Sequence, residues 1–118
     1  MDERQVQAQI VAHNERNKAL LKAIASHGAS LEEKRPTDHT FYAKREADAA
    51  VLSQDLKSLN FEKVEQKSAG SFFSRKYTIE AVINASPNEV TDEAFVEKLV
   101  RAAALRNSVY DGWGMALS

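Results

Sequence analysis

At 118 residues, with 43% hydrophobic and 28% charged side chains, the chain has the composition of one globular domain with a single core and is too short for two. Sixteen Lys and Arg against 17 Asp and Glu leave a formal charge of −1, which gives no support to non-specific attraction to DNA or to an anionic membrane. The absence of cysteine excludes disulfides, thiolate catalysis and Cys-based zinc sites.

No apolar run approaches the ~18 residues that a membrane span needs. The opening stretch MDERQVQAQIVAHNERN begins with acids and lacks the basic and apolar segments of a signal peptide. A soluble, cytoplasmic protein without a membrane partner is expected.

Residues 1–27 contain neither Gly nor Pro and read as a helix. Val6, Ile10, His13, Asn17, Leu20 and Ile24 recur at alternating spacings of four and three, on one face, and Leu21 widens the stripe. Gly28 supplies the stop. A stripe with a polar middle depends on a surface to pack against. It is expected to lie across a sheet face, the alternative being a short coiled-coil seam with a second copy.

Pro36 disfavours helix before it, and Thr37 to Ala43 is rich in β-branched and aromatic residues, so a strand is expected there. Residues 46–59 form an amphipathic helix with Ala50, Leu52, Leu56 and Leu59 inward, ended by Asn60. FEKVEQK reads as a second strand, Ala69-Gly70-Ser71 as a turn, and FFSRKYTIEAVINA as a third strand completing a hairpin. On that strand Phe73, Tyr77, Ile79 and Ile83 share one face, with Phe72, Lys76, Thr78 and Val82 opposite.

Pro87 punctuates the end of the third strand, and the helix after it is capped either by Ser86 with Glu89 or by Thr91. Val90, Phe95, Val96, Leu99, Val100, Ala103 and Leu105 mark that helix, and Ser108 to Leu117 the last strand. The order β-α-β-β-α-β is that of the ferredoxin-like fold. The expectation is an α+β protein: an N-terminal helix over 1–28 packed on a ferredoxin-like domain over 35–118, one domain overall.

The last strand holds the single Trp, bracketed by Gly112 and Gly114. Strict alternation puts Val109, Asp111, Trp113, Met115 and Leu117 on one face, and Tyr110, Gly112, Gly114 and Ala116 on the other. The second set is nearly bare, which suits a close backbone approach or a bulge. In this fold the last strand pairs with the first, which sets Asp111 and Trp113 beside RPTDHTFY, with His39 as a neighbour. Tyr110, Asp111 and Trp113 are read first as organisers of the strand end, and second as contacts for a partner.

YDGWG in a final strand, with HG and DHTFYAK in the first half, resembles the family called regulator of ribonuclease E activity B. The matching residues are His27 and Gly28, Arg35 and Pro36, Asp38 to Tyr42, Leu59 to Phe61, and Tyr110 to Gly114. The resemblance implies a small bacterial, cytoplasmic, ferredoxin-like protein that binds the endoribonuclease and inhibits RNA cleavage without catalysing a reaction. It implies a protein partner, a ribonuclease or its degradation complex. The best-known type of that family is strongly acidic, whereas this chain is near neutral.

Chemistry of other kinds finds little purchase. His13, His27 and His39 form no metal-ligand pattern, and no Walker loop, nucleophile elbow or dinucleotide glycine pattern is present, so no catalytic residue, metal or cofactor is expected. His39 with Asp111 is the one pair that strand pairing could bring together as a dyad. The alternative function is RNA binding on the open sheet, because FFSRKYTI mixes aromatics with Arg75 and Lys76. It lacks the glycine-containing core of the RNA-recognition motif, so protein contact is preferred, by a monomer or weak homo-oligomer. The candidate partner-binding or structural residues are His39, Tyr110, Asp111, Gly112, Trp113 and Gly114.

Overall fold

The computed structural model describes residues 1–71 and 74–116. Helix α1 (Glu3–Ser26) opens on a capping box in which Asp2 accepts from the Gln5 amide and Gln5 accepts from the Asp2 amide. It ends before Gly28, whose φ of +78° is open to glycine at little cost. Val6, Ile10, His13, Asn17 and Ile24 are buried as the four-three spacing predicts, and Leu20 and Leu21 are half-buried.

Strand β1 (Arg35–Ala43), helix α2 (Glu46–Ser58), strands β2 (Lys63–Ser71) and β3 (Ser74–Ala85), short helix α3 (Pro87–Val90), helix α4 (Glu93–Leu105) and strand β4 (Ser108–Gly114) come next along the chain. All strand pairs are antiparallel, in the order β2-β3-β1-β4, which is the ferredoxin-like sheet, with α1 as an addition. Asn60, at φ +72°, closes α2 as read from the sequence. Ser86 and Glu89 form the capping box of α3, while Asp92 caps α4 by accepting from the Phe95 amide.

One face of the sheet carries the core. Thr37, His39, Phe41 and Ala43 of β1 and Ile79 and Ala81 of β3 meet Leu52 and Leu56 of α2 and Val96, Leu99, Val100 and Ala103 of α4. Each fully buried large aliphatic or aromatic side chain contributes roughly 1.5–3 kcal/mol. Val6 and Ile10 join the same cluster, so α1 shares this core.

Several expectations are corrected. In α2 it is Ala49, with Leu52, Ser53 and Leu56, that turns inward, and Ala50 is exposed. Leu52 and Leu56 are the i+3 and i+7 members of a row that begins at Ala49, whereas Ala50, two residues before Leu52, lies on the opposite side of the helix. Leu105 is 72% exposed: it lies two residues beyond Ala103, on the opposite side of α4. Ala69, Gly70 and Ser71 are strand, paired with Lys76, Arg75 and Ser74, and not a turn. Phe72 and Phe73 lie outside the described residues, as does Leu117.

Helix α1 does not lie across the second face of the sheet. It packs on α4 and along β4, extending the helical layer past the sheet edge. The polar middle of its stripe matches this position, because a sheet edge offers free carbonyls where a sheet face offers apolar side chains. Among the described residues no element covers the second face, and Asp38, Tyr42, Lys63, Lys67 and Lys76 are exposed on it.

Candidate functional site

Strand β4 is an edge strand, and the YDGWG segment departs from regular pairing there. Phe41 pairs with Tyr110 and Thr40 with Gly112, so Asp111 is the extra residue of a β-bulge. The bulge reverses the alternation beyond it. Tyr110 faces the core with Phe41, and Trp113 stands opposite His39, on the same face as Tyr110 instead of sharing one with Val109 and Asp111. Strict period two fails at the one residue inserted.

Gly112 takes φ +136°, a conformation that side chains rarely adopt, and a Cβ there would meet Arg16 Nη1 at 3.3 Å. Its glycine serves the bulge, not a close backbone neighbour. Gly114 has open space around it and no positive φ, and nothing in the structure explains its lack of a side chain.

Three side chains of α1 bond to this irregular edge. His13 Nε2 donates to the Tyr110 carbonyl at 2.9 Å, and its ring stacks on that of Tyr110 at 4.8 Å. Arg16 Nη1 donates to the Asp111 carbonyl at 2.8 Å. Trp113 Nε1 donates to the side-chain oxygen of buried Asn17 at 3.0 Å. An exposed edge invites pairing with another chain, and α1 occupies its acceptors in the bulge region.

Inside the sheet a second set of bonds runs from Tyr110. The Thr37 hydroxyl donates to the Ile83 carbonyl at 2.9 Å, so its oxygen accepts from His39 Nε2 at 2.9 Å. The Nδ1 atom of His39 is then the acceptor for the Tyr110 hydroxyl at 2.8 Å. Each donor in Tyr110–His39–Thr37 has an acceptor, with no charge required. His39 is fully buried, with Phe61 and Phe95 against its ring edges. Burial pushes its pKa down to about 4 and pushes the Tyr110 hydroxyl up, so both are neutral near pH 7. Burial also lowers His13, against the opposing effect of its bond to the Tyr110 carbonyl.

The dyad of His39 with Asp111 is not formed. Asp111 is exposed in the bulge, and the partner of His39 is the Tyr110 hydroxyl. His39 and Tyr110 are buried, at 0% and 2% exposure; Asp111 and Gly114 are exposed, and Gly112 and Trp113 half-buried. Sequence reasoning missed Thr37 and Arg16. Thr37 carried a signal, standing two residues before His39 and hence on the same strand face. Among the described residues no three His, Asp or Glu side chains converge as a metal site would require, and no helix is long and apolar enough to cross a membrane.

Fold and site together define a ferredoxin-like α+β domain with an added helix clamped on its last strand, a hydrogen-bonded polar core and one uncovered sheet face. A family model described as Regulator of ribonuclease activity B matches residues 14–115, a span that includes Thr37, His39 and YDGWG. The chain belongs to that family, whose members are regulators of ribonuclease activity. A search of curated proteins found no match.

Proposed function

We propose that the protein acts in the cytoplasm by binding an endoribonuclease of the ribonuclease E type, and that it modulates RNA degradation through protein–protein contact without catalysing a reaction. The observation that carries this reading is the family match over residues 14–115. The polar core supports it: both nitrogens of His39 are engaged in holding β1 to β4 and β3, which leaves neither free for a substrate. The reading requires no more than a monomer.

A second reading, RNA binding on the sheet, is favoured by one observation, the uncovered face with Tyr42 and Lys76 exposed on it. One experiment separates the two. The purified nuclease cleaves a labelled RNA while this protein is titrated in, beside a measurement of its binding to the RNA alone. Inhibition without RNA binding supports the first reading; RNA binding at the same concentrations supports the second. Neither effect sinks both.

A further inference from the structure

The uncovered face of the sheet is not uniform. On its β2 side the charges neutralise one another: Lys63 pairs with Glu65 at 3.1 Å, and Lys67 with Glu80 at 3.0 Å and Glu65 at 4.0 Å. The β1–β4 side, at the end nearest Lys44, is different. Tyr42 and Val109 are register partners there, 40% and 38% exposed, two large apolar side chains side by side.

These two line a groove of about 600 Å³ with Ala43, Lys44, Lys76 and Asn107. A second groove, of about 490 Å³, shares Lys44, Asn107 and Val109 and continues over the β4 edge to Gln5 and Ala8 of α1. No carboxylate among the described residues lines either groove. Among the described residues, neither Lys44 nor Lys76 has an ion-pair partner. An apolar floor with uncompensated positive charge at its rim is complementary to a chain that is apolar and negative.

We propose that this groove docks an acidic, apolar segment of a protein partner, with leucine or phenylalanine side chains on Tyr42 and Val109 and carboxylates at Lys44 and Lys76. The inference rests on the reading of the protein as a binder of a nuclease, and it names the surface that does the binding. A protein segment fits better than RNA. The face neighbours of Tyr42 are Thr78 and Val109, β-branched side chains that offer no second flat platform for stacked bases. Asp38 on the same face would repel a phosphate backbone that crossed it, and Lys63 and Lys67, each paired with a glutamate, offer that backbone no uncompensated charge.

The test uses the intact chain and fluorescence anisotropy with three labelled probes: a short peptide alternating Glu with Leu and Phe, its counterpart with Lys for Glu, and an oligouridine RNA. The acidic peptide binds, more weakly as salt rises, and by about tenfold less in Lys44→Glu/Lys76→Glu and in Tyr42→Ser. Lys63→Glu, the same charge change elsewhere on the face, leaves binding unchanged. Circular dichroism confirms that each variant is folded.

Equal binding by the wild type and the folded groove variants overturns the proposal. So does absence of acidic-peptide binding at millimolar concentration, or preference for the basic peptide or the RNA. The nuclease assay separates the two levels of inference. Peptide binding at the groove without effect on the nuclease removes the proposed function and leaves the groove. Inhibition that survives in the groove variants removes the groove and leaves the function.

Discussion

The Tyr110 hydroxyl donates to His39 Nδ1 at 2.8 Å, linking the core faces of two neighbouring strands. His39 in turn reaches Thr37, whose hydroxyl ends on the Ile83 carbonyl of the next strand. Three strands of the sheet, β4, β1 and β3, are thereby joined across the core by side-chain bonds in addition to the backbone ladder.

Removing that hydroxyl tests the chain of bonds. Tyr110→Phe preserves the ring packing on Phe41 and His13 but leaves His39 Nδ1 buried without a donor. The expected loss is about 1–3 kcal/mol, read as a lower denaturant midpoint at unchanged slope. A midpoint equal to that of the wild type would show that the bond is not made in solution.

The same histidine sets a pH dependence. Its folded pKa, about 4, lies below the ordinary histidine value of 6.5, so between those limits the unfolded chain binds a proton that the folded chain does not. Stability is therefore full above about pH 6.5 and falls as the pH drops toward 4, by roughly 3 kcal/mol from this group. His13, also lowered, acts in the same direction. Urea unfolding across that window checks the slope, and His39→Gln should flatten it.

The two glycines around Trp113 separate cleanly. Gly112→Ala forces a side chain into φ +136° and against Arg16, which should destabilise by roughly 1–3 kcal/mol. Gly114→Ala meets open space, and its effect should stay within about 0.5 kcal/mol. Equal melting temperatures for the pair would contradict the bulge.

Helix α4 offers a control on its buried face. Leu99→Ala, at a fully buried position, is expected to cost about 2–5 kcal/mol. Leu105→Glu, at a position 72% exposed, should leave the thermal midpoint close to that of the wild type.

The spacing of apolar residues along α1, α2 and α4 is a local property, set by 3.6 residues per turn, and it was readable without any tertiary information. Val6, Ile10, His13, Asn17 and Ile24 could be assigned to one face because the period alone puts them there. The order of strands and helices pointed to the ferredoxin-like sheet for the same reason. The YDGWG segment was legible as a special strand end, since two glycines around a tryptophan have few other uses in a strand.

What covers α1, and which way Trp113 faces, depended on contacts between residues far apart in the chain. The single extra residue at Asp111 reverses every side chain after it, and no local pattern announces an insertion whose meaning exists only relative to β1. Likewise the partner of His39 was decided by the register of β1 on β4, which brought the Tyr110 hydroxyl inward and left the Asp111 carboxylate in solvent. The sequence by itself determined the order of the elements and the buried faces of α1 and, Leu105 aside, of α4, because these derive from backbone periodicity. Only the tertiary structure decided which polar groups meet, because hydrogen bonds of 2.8–2.9 Å require a registry that periodicity does not encode.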